Sequence, residues 1–299
     1  MFLQGLTGAA AAAVVVLLAL IAWKIVDGAS LSFDKFGLGF LTGTVWDTNR
    51  NVFGAAPFIF GTAVTAFGAL VLAAPISVAI ALYLSELAPR GVRGVAGALV
   101  ELLAAVPSVV LGLWGILVMG PFVQDHLEPW LHSTLGFLPL FRGDYSPVGL
   151  LPAILVLTIM VVPITTSICR ELFTSVPREL EEGALALGST RWEMVRGVVL
   201  PYTRSGIVAA LILGLGRALG EAIAVAQVVG GFGRITAHLF QGGDTLASRI
   251  ALQYQGAATQ LQTSSIVYLA AILLVIALVV NVAAQLIVRR FEFQRTGGS

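Results

Sequence analysis

RELEEGALALGSTRWEMVRGVVLP, residues 178–201, is the one long charge-dense stretch lying between two strongly apolar runs. Pro177 suits the opening of a helix, because the first helical position needs no N–H donor. Glu179, Glu181 and Glu182 then fall in the first turn, where the helix dipole favours negative charge. Gly188 suits a left-handed stop. Thr190 with Glu193 three residues on reads as a capping box that starts a second helix, and Pro201 is expected to interrupt before the next apolar run. The stretch therefore predicts helix, glycine hinge, helix, all on one side of a membrane, with a solvated amphipathic connector as its plainest role.

The rest of the chain supplies the membrane. Of 299 residues 58% are hydrophobic and only 11% are charged, which is the composition of an integral membrane protein. A net charge of +1 gives no reason to invoke nucleic acid. The single Cys169 allows neither an intrachain disulfide nor a cysteine metal cluster. A spanning helix needs about 20 apolar residues, and six segments qualify: 6–26, 57–83, 95–120, 148–169, 205–230 and 264–288. No Ser/Gly-rich linker divides them, so residues 1–299 read as a single all-α transmembrane domain with a cytoplasmic loop at about 170–204. The first segment has no basic flank and is too long for a cleaved leader, so it is expected to remain as a helix. Because the chain begins almost at the membrane, a trimmed tail or a misplaced start is expected.

Lys and Arg counts set the orientation. The 84–94 and 170–204 loops and the C-terminal tail carry ten: Arg90, Arg93, Arg170, Arg178, Arg191, Arg196, Arg204, Arg289, Arg290 and Arg295. The opposite side carries six: Lys24, Lys35, Arg50, Arg142, Arg234 and Arg249. The bias places the 178–201 loop and both termini in the cytoplasm. The outer loops, 27–56 and 121–147, are rich in aromatics (Phe33, Phe36, Phe40, Trp46, Phe53; Trp130, Phe137, Phe141, Tyr145). They read as an interfacial belt or as a platform for a substrate-delivering protein. His126, Glu128 and His132 hint at a metal, but Pro129 stands between them and no fourth ligand is evident. Glu101 is expected to tie to an inner-loop Arg, while Pro107, Pro152 and Pro163 are expected to kink their helices.

One pair lies where charge is costly. Arg217 falls near the middle of the fifth segment, and Arg at the bilayer centre costs about 2.5–3.5 kcal/mol on insertion scales. Glu221 follows four residues on, within reach on a helix. Gly214, Gly216 and Gly220 flank the pair and allow close approach; their spacing and the lack of a preceding strand exclude a dinucleotide fingerprint. The pair reads either as a salt bridge locking two helices or as an anion site on a transport path. A guanidinium is a planar fork suited to tetrahedral oxyanions. Phosphate near neutral pH keeps a proton it can donate to Glu221, whereas sulfate has none, so the pair favours phosphate.

These stretches carry a resemblance. Glu182-Gly183-Ala184, Gly188, Val198 and Leu200-Pro201 are spaced like the EAA loop of ABC importer permeases, with Gly183 where the pattern has Ala. Gly216-Arg217-Ala218-Leu219-Gly220-Glu221, the run from Val52 to Thr62 and the run from Val100 to Val110 resemble the PstC-type subunit of the phosphate ABC importer, with Ala222 where Thr is common. The resemblance implies the six-helix, type I (MetI-like) permease fold in a bacterial or archaeal inner membrane. It implies a heterodimer with a PstA-type permease, a PstB-type ATPase dimer that holds ATP-Mg, and a PstS-type phosphate-binding protein outside. It gives Glu182, Gly183, Ala184, Gly188, Leu200 and Pro201 the role of ATPase coupling, and Arg217 and Glu221 that of the substrate path. No Walker motif is present, so hydrolysis belongs to a partner and the chain is expected to bind no cofactor or metal of its own. A stand-alone secondary transporter or channel for an oxyanion, with Glu221 as proton carrier, is the alternative; it leaves the 178–201 loop unexplained, and no inverted repeat is apparent. An intramembrane enzyme would need a membrane-depth Ser with His or paired Asp, and His and Asp here lie in or beside predicted loops.

Overall fold

The computed structural model describes the backbone of residues 2–296 and the side chains of residues 6–89 and 91–288. The side chains of Arg90, Arg289, Arg290 and Arg295, counted above for orientation, lie outside the described residues. The chain is helical, and its only bridges among the described residues are isolated ones at Asp47–Val52 and Gly230–Gly243.

Six helices are long and apolar enough to cross a membrane. In chain order the helices of six residues or more are α1 (Phe2–Phe36), α2 (Ala56–Leu87), α3 (Arg90–Ala104), α4 (Ser108–Leu135), α5 (Leu150–Thr174), α6 (Arg178–Ala186), α7 (Arg191–Gly220), α8 (Ile223–Val228), α9 (Leu246–Gln253) and α10 (Gln260–Thr296). Helices α1, α2, α4, α5, α7 and α10 have spanning length. Helix α5 is central, with 67% of its apolar window buried against 0% for α1. It packs along α2 and α7, while α1 lies against α10. The largest apolar cluster joins Ala66, Ala69, Val156, Leu157, Leu215 and Val228, so the core lies where α2, α5, α7 and α8 meet.

Two spans differ from the expected segments. The third is Ser108–Leu135, not 95–120. Residues 90–104 form a separate helix whose Val95, Leu99 and Leu102 are exposed, and Pro107 is the extended cap that starts α4 rather than a kink within it. Hydropathy is satisfied by either window; the break at Ala105–Pro107 decides between them. Helix continues through 121–135, where the Glu128 side chain is fully buried and accepts the Ser146 N–H at 2.8 Å. The fifth span ends at Gly220 instead of running to 230. Pro152 sits in the first turn of α5, where no N–H is required, and Pro163 lies inside that helix.

Prolines account for a recurrent departure from regular helix. Four π turns, Tyr83–Leu87, Gly115–Met119, Val123–Leu127 and Val195–Val199, each end two residues before a proline: Pro89, Pro121, Pro129 and Pro201. A proline lacks the N–H that would bond the carbonyl four residues back. The wider turn lets the residue before it bond five back instead, as Leu200 does to Val195. Pro201 therefore does not interrupt the helix: α7 runs through it. At Pro89 the helix does end, because Ala88 is extended (ψ 135°), the conformation a following proline favours.

In the 27–56 region the outer aromatics pack mainly among themselves, with Phe33 left half exposed. Phe36, Phe40, Trp46, Phe53, Phe58 and Tyr268 pack against one another, with Phe40 stacked on Tyr268 at 4.5 Å and Trp46 edge-on to Phe58 at 5.2 Å. Phe40, Phe53 and Phe58 are buried. Phe137 and Trp130 remain largely exposed.

Candidate functional site

The 178–201 loop is built by local chemistry. Helix α6 begins after Pro177, which serves as the cap preceding Arg178. It ends in a Schellman turn: Ser189 N–H reaches the Ala184 carbonyl, Gly188 N–H reaches that of Leu185, and Gly188 takes φ +87°. Thr190 and Glu193 form the capping box, Thr190 N–H donating to Glu193 Oε2 at 2.7 Å while Thr190 Oγ1 accepts the Glu193 N–H. Gly183 does not break α6, and a Cβ there would meet nothing within 4 Å. Burial pushes the Glu181 carboxyl up, with the Glu86 charge adding and Arg178 opposing. Leu187, Trp192, Leu180 and Leu185 stand exposed on this loop, an apolar display that water disfavours. Met194, Val195 and Val199 are buried with Phe173, Cys169 and Ala81, and Leu200 packs against them. Of the expected coupling residues, Glu182, Gly183, Ala184 and Gly188 thus belong to the projecting helix and its cap; Leu200 anchors the loop, and Pro201 follows the π turn.

The charged pair lies at the other end of the same span. Arg217 is in the last turn of α7, not near its middle, and a cation there suits the helix dipole. Glu221 has left the helix, with extended backbone (ψ 116°). Its Oε1 accepts the Ala224 N–H at 3.2 Å and so caps the start of α8, while Oε2 lies 3.9 Å from Arg217 Nη2. The pair is loose and asymmetric: Glu221 is 9% exposed and Arg217 44%. A guanidinium in this state keeps N–H donors directed away from its carboxylate. Gly214 lets α7 close on α5, since a Cβ would stand 2.8 Å from Thr165 Oγ1, a buried oxygen with no hydrogen-bond partner. Gly216 and Gly220 face open space. Leu200 and Arg217 lie on the same helix, α7, about 25 Å apart at 1.5 Å per residue, whereas Glu182, Gly183, Ala184 and Gly188 belong to α6 and its cap.

Sequence reading missed a third constellation. Arg249 Nη2 stands 2.6 Å from Asp244 Oδ2, and the two side chains are 12% and 1% exposed. Asp244 Oδ1 accepts Thr245 N–H and Ser248 Oγ–H. Arg249 lies over the Phe58 ring at 4.7 Å and donates to the Gly231 carbonyl. Leu246 N–H donates to Thr62 Oγ1, and a Cβ on Gly61 would fall 1.9 Å from the Asp244 carbonyl oxygen. This staples the segment after the Glu221 break to the start of α2. A signal existed: Asp244-Thr245 ahead of a periodic apolar run marks a helix start, and Thr245 with Ser248 forms a capping box.

The other candidates separate. Glu101 lies 3.8 Å from Arg170. His126 stacks on Phe122, His132 faces the Phe141 carbonyl, and Glu128 turns to Ser146; among the described residues no group of three metal-ligating side chains forms.

Residues 73–293 match the family described as binding-protein-dependent transport system inner membrane component. A phosphate transport system permease protein PstC of Xylella fastidiosa (strain 9a5c) is 41% identical over 295 residues, covering 97% of this chain and 91% of that protein. PstC of Pasteurella multocida (strain Pm70) is 42% identical over 283 residues, 93% of this chain and 88% of that protein. PstC 2 of Mycobacterium tuberculosis is 43% identical over 287 residues with the same coverages, 93% and 88%. Among solved structures, a bacterial ABC transporter for alginate import aligns over 94% of this chain and 95% of its own at TM-score 0.62 and 19% identity. The inward-facing MetNI methionine ABC transporter aligns over 77% and 91% at TM-score 0.52 and 22% identity. These likenesses show the fold of ABC importer permeases, including the MetI-like core. By its sequence the chain belongs to the PstC family of phosphate transport system permeases, within the inner membrane components of binding-protein-dependent transport systems.

Proposed function

We propose that this chain is the permease subunit of an ATP-driven importer of inorganic phosphate, forming half of the translocation path. The observation that carries this is identity of about two residues in five, over nearly the full chain, with proteins named as phosphate transport permeases. The chain is a transport subunit rather than an enzyme. Its path residues are Arg217 and Glu221, where an exposed guanidinium beside a buried carboxylate offers donors to phosphate oxygens and an acceptor for the phosphate proton. Glu182, Gly183, Ala184, Gly188, Leu200 and Pro201 belong to the element that meets the ATPase. A PstA-type permease completes the path, a PstB-type ATPase dimer that itself holds ATP-Mg docks on the 178–201 loop, and a PstS-type protein delivers phosphate outside. Both termini are cytoplasmic, in keeping with the excess of basic residues on that side. Ala222 requires that phosphate be held without a hydroxyl at that position.

Radiolabelled phosphate uptake at low external phosphate tests this in cells whose only route contains this chain, with sulfate in parallel. Arg217→Gln and Glu182→Lys, both present in the membrane at wild-type level, are expected to lose phosphate uptake, and sulfate is never carried. Normal uptake by Arg217→Gln would make the pair a structural bridge. Normal uptake by Glu182→Lys would remove the coupling assignment.

A further inference from the structure

The end of α2 differs from the other proline-linked π turns. After Gly115–Met119, Val123–Leu127 and Val195–Val199 the helix continues; after Tyr83–Leu87 it stops at Ala88 and the chain turns into α3. The carbonyls of Ser85 and Glu86 are among those that consequently lose their helical donors. That of Ser85 faces the position of Pro89, which has no N–H. That of Glu86 would need the N–H of residue 90, which already belongs to the first turn of α3. A carbonyl left without a donor away from water is costly.

Both carbonyls are met by arginines from other elements. Arg93 Nη2 of α3 donates to the Ser85 carbonyl, which belongs to a buried residue. Arg191 Nη1, at the first position of α7, donates to the Glu86 carbonyl at 3.4 Å across 105 residues of sequence. Together with Arg178 and Glu181 they line a polar cleft of about 320 Å³ between the end of α2 and the docking loop. The capping box at Thr190 fixes the backbone from which Arg191 projects. The apolar side of the same junction is Ala81, Phe173, Met194 and Val195. Thus the loop is joined to α2 by an apolar contact on one side and by arginine-to-carbonyl bonds on the other. Charged donors make such bonds stronger and more directional than neutral ones.

We infer that Arg191 and Arg93 are positioning residues that pass displacement of the docking loop to the end of α2 and to α3 by holding the main-chain carbonyls released at Pro89. The inference rests on the permease reading above. It assigns the polar half of the link to two residues outside the EAA-like positions. Arg191 joins the loop to α2, and Arg93 makes α3 follow α2.

The test uses the assembled complex with its second permease and ATPase subunits in lipid nanodiscs. Amide hydrogen exchange of peptides covering residues 79–93 is compared without nucleotide and with a non-hydrolysable ATP analogue. This readout is independent of the solute carried, so failure of phosphate uptake and failure of the link are distinguishable. Wild type and Arg196→Gln, which removes an exposed charge from the same loop, are expected to change exchange in these peptides on nucleotide binding. Arg191→Gln is expected to lose that response while the subunits still co-purify in wild-type ratio, and Arg191→Lys to regain part of it. In proteoliposomes the ATP hydrolysed per phosphate carried should rise about tenfold in Arg191→Gln, as befits a lost charged hydrogen bond. An unchanged exchange response in Arg191→Gln, or an equal loss in Arg196→Gln, overturns the inference. If Arg191→Gln fails to assemble, Arg93→Gln is read in its place, with loss of the response in residues 90–93 expected and an unchanged response overturning it.

Discussion

Neutralising one member of the Asp244–Arg249 pair isolates the force that holds the segment after the Glu221 break. Asp244→Asn preserves an acceptor for Thr245 N–H and Ser248 Oγ–H but removes the charge 2.6 Å from Arg249. The guanidinium, 12% exposed and enclosed by Phe58, then has no counter-charge. Breaking a buried pair in this way costs about 3–5 kcal/mol. Arg249→Met strands the opposite charge on a carboxylate that is 1% exposed and should cost a similar amount. Burial already pushes the Asp244 carboxyl up against the opposing pull of Arg249, so much of the attraction is consumed by desolvation. The double variant, which buries no charge, should therefore lie within about 2 kcal/mol of the parent. The resulting coupling energy is about 3 kcal/mol or more, well above the additive limit of about 0.5 kcal/mol for independent sites. The assay is equilibrium unfolding in mixed detergent micelles, following fluorescence in a background that keeps Trp46, which packs on Phe58, as its one tryptophan of the five. Single variants within about 1 kcal/mol of the parent, with an additive double variant, would refute the reasoning.

Three further outcomes follow from the geometry. Gly61→Ala places a Cβ 1.9 Å from the Asp244 carbonyl oxygen, whereas Gly216→Ala meets nothing within 4 Å; the first should sharply lower the yield of folded protein and the second leave it unchanged, as read by size-exclusion chromatography. Thr190→Ala removes the capping box of the 178–201 loop and should speed amide exchange at residues 191–194 about fivefold, with peptides of α5 as the internal control. The Glu181 carboxyl is raised above its ordinary value, chiefly by burial, so the folded state holds this proton more tightly than the unfolded state does. Its contribution is greatest below the ordinary value and is lost as pH rises through the folded value. Glu181→Gln is therefore expected to raise the thermal midpoint at pH 7 and to leave it nearly unchanged at pH 4; equal shifts at both would contradict the assignment.

What the sequence determined by itself is local. The helix–glycine–helix form of the 178–201 loop was legible because a capping box, a glycine stop and a first-turn acidic cluster each act within about four residues, and the structure builds Thr190–Glu193 and Gly188 as those rules require. The six apolar runs were legible because crossing a bilayer imposes length and composition directly. Family membership was legible from Arg217 to Glu221 and from the spacing of the loop. Tertiary structure decided where helices stop. Hydropathy by itself favours 95–120, since 121–135 carries Asp125, His126, Glu128 and His132, so the third span depended on the break at Pro107 and on Glu128 finding the Ser146 N–H. The fifth span ends at Gly220 because Glu221 is taken by the Ala224 N–H, which places Arg217 in a last turn rather than at a helix centre. Arg249 looked like one more outer charge; its role arises only when Asp244, Phe58 and Gly231 converge on it. Arg191 meets the Glu86 carbonyl across 105 residues. A cap forms between chain neighbours, whereas these contacts exist only after distant segments are brought together and buried, so no short window of sequence displays them.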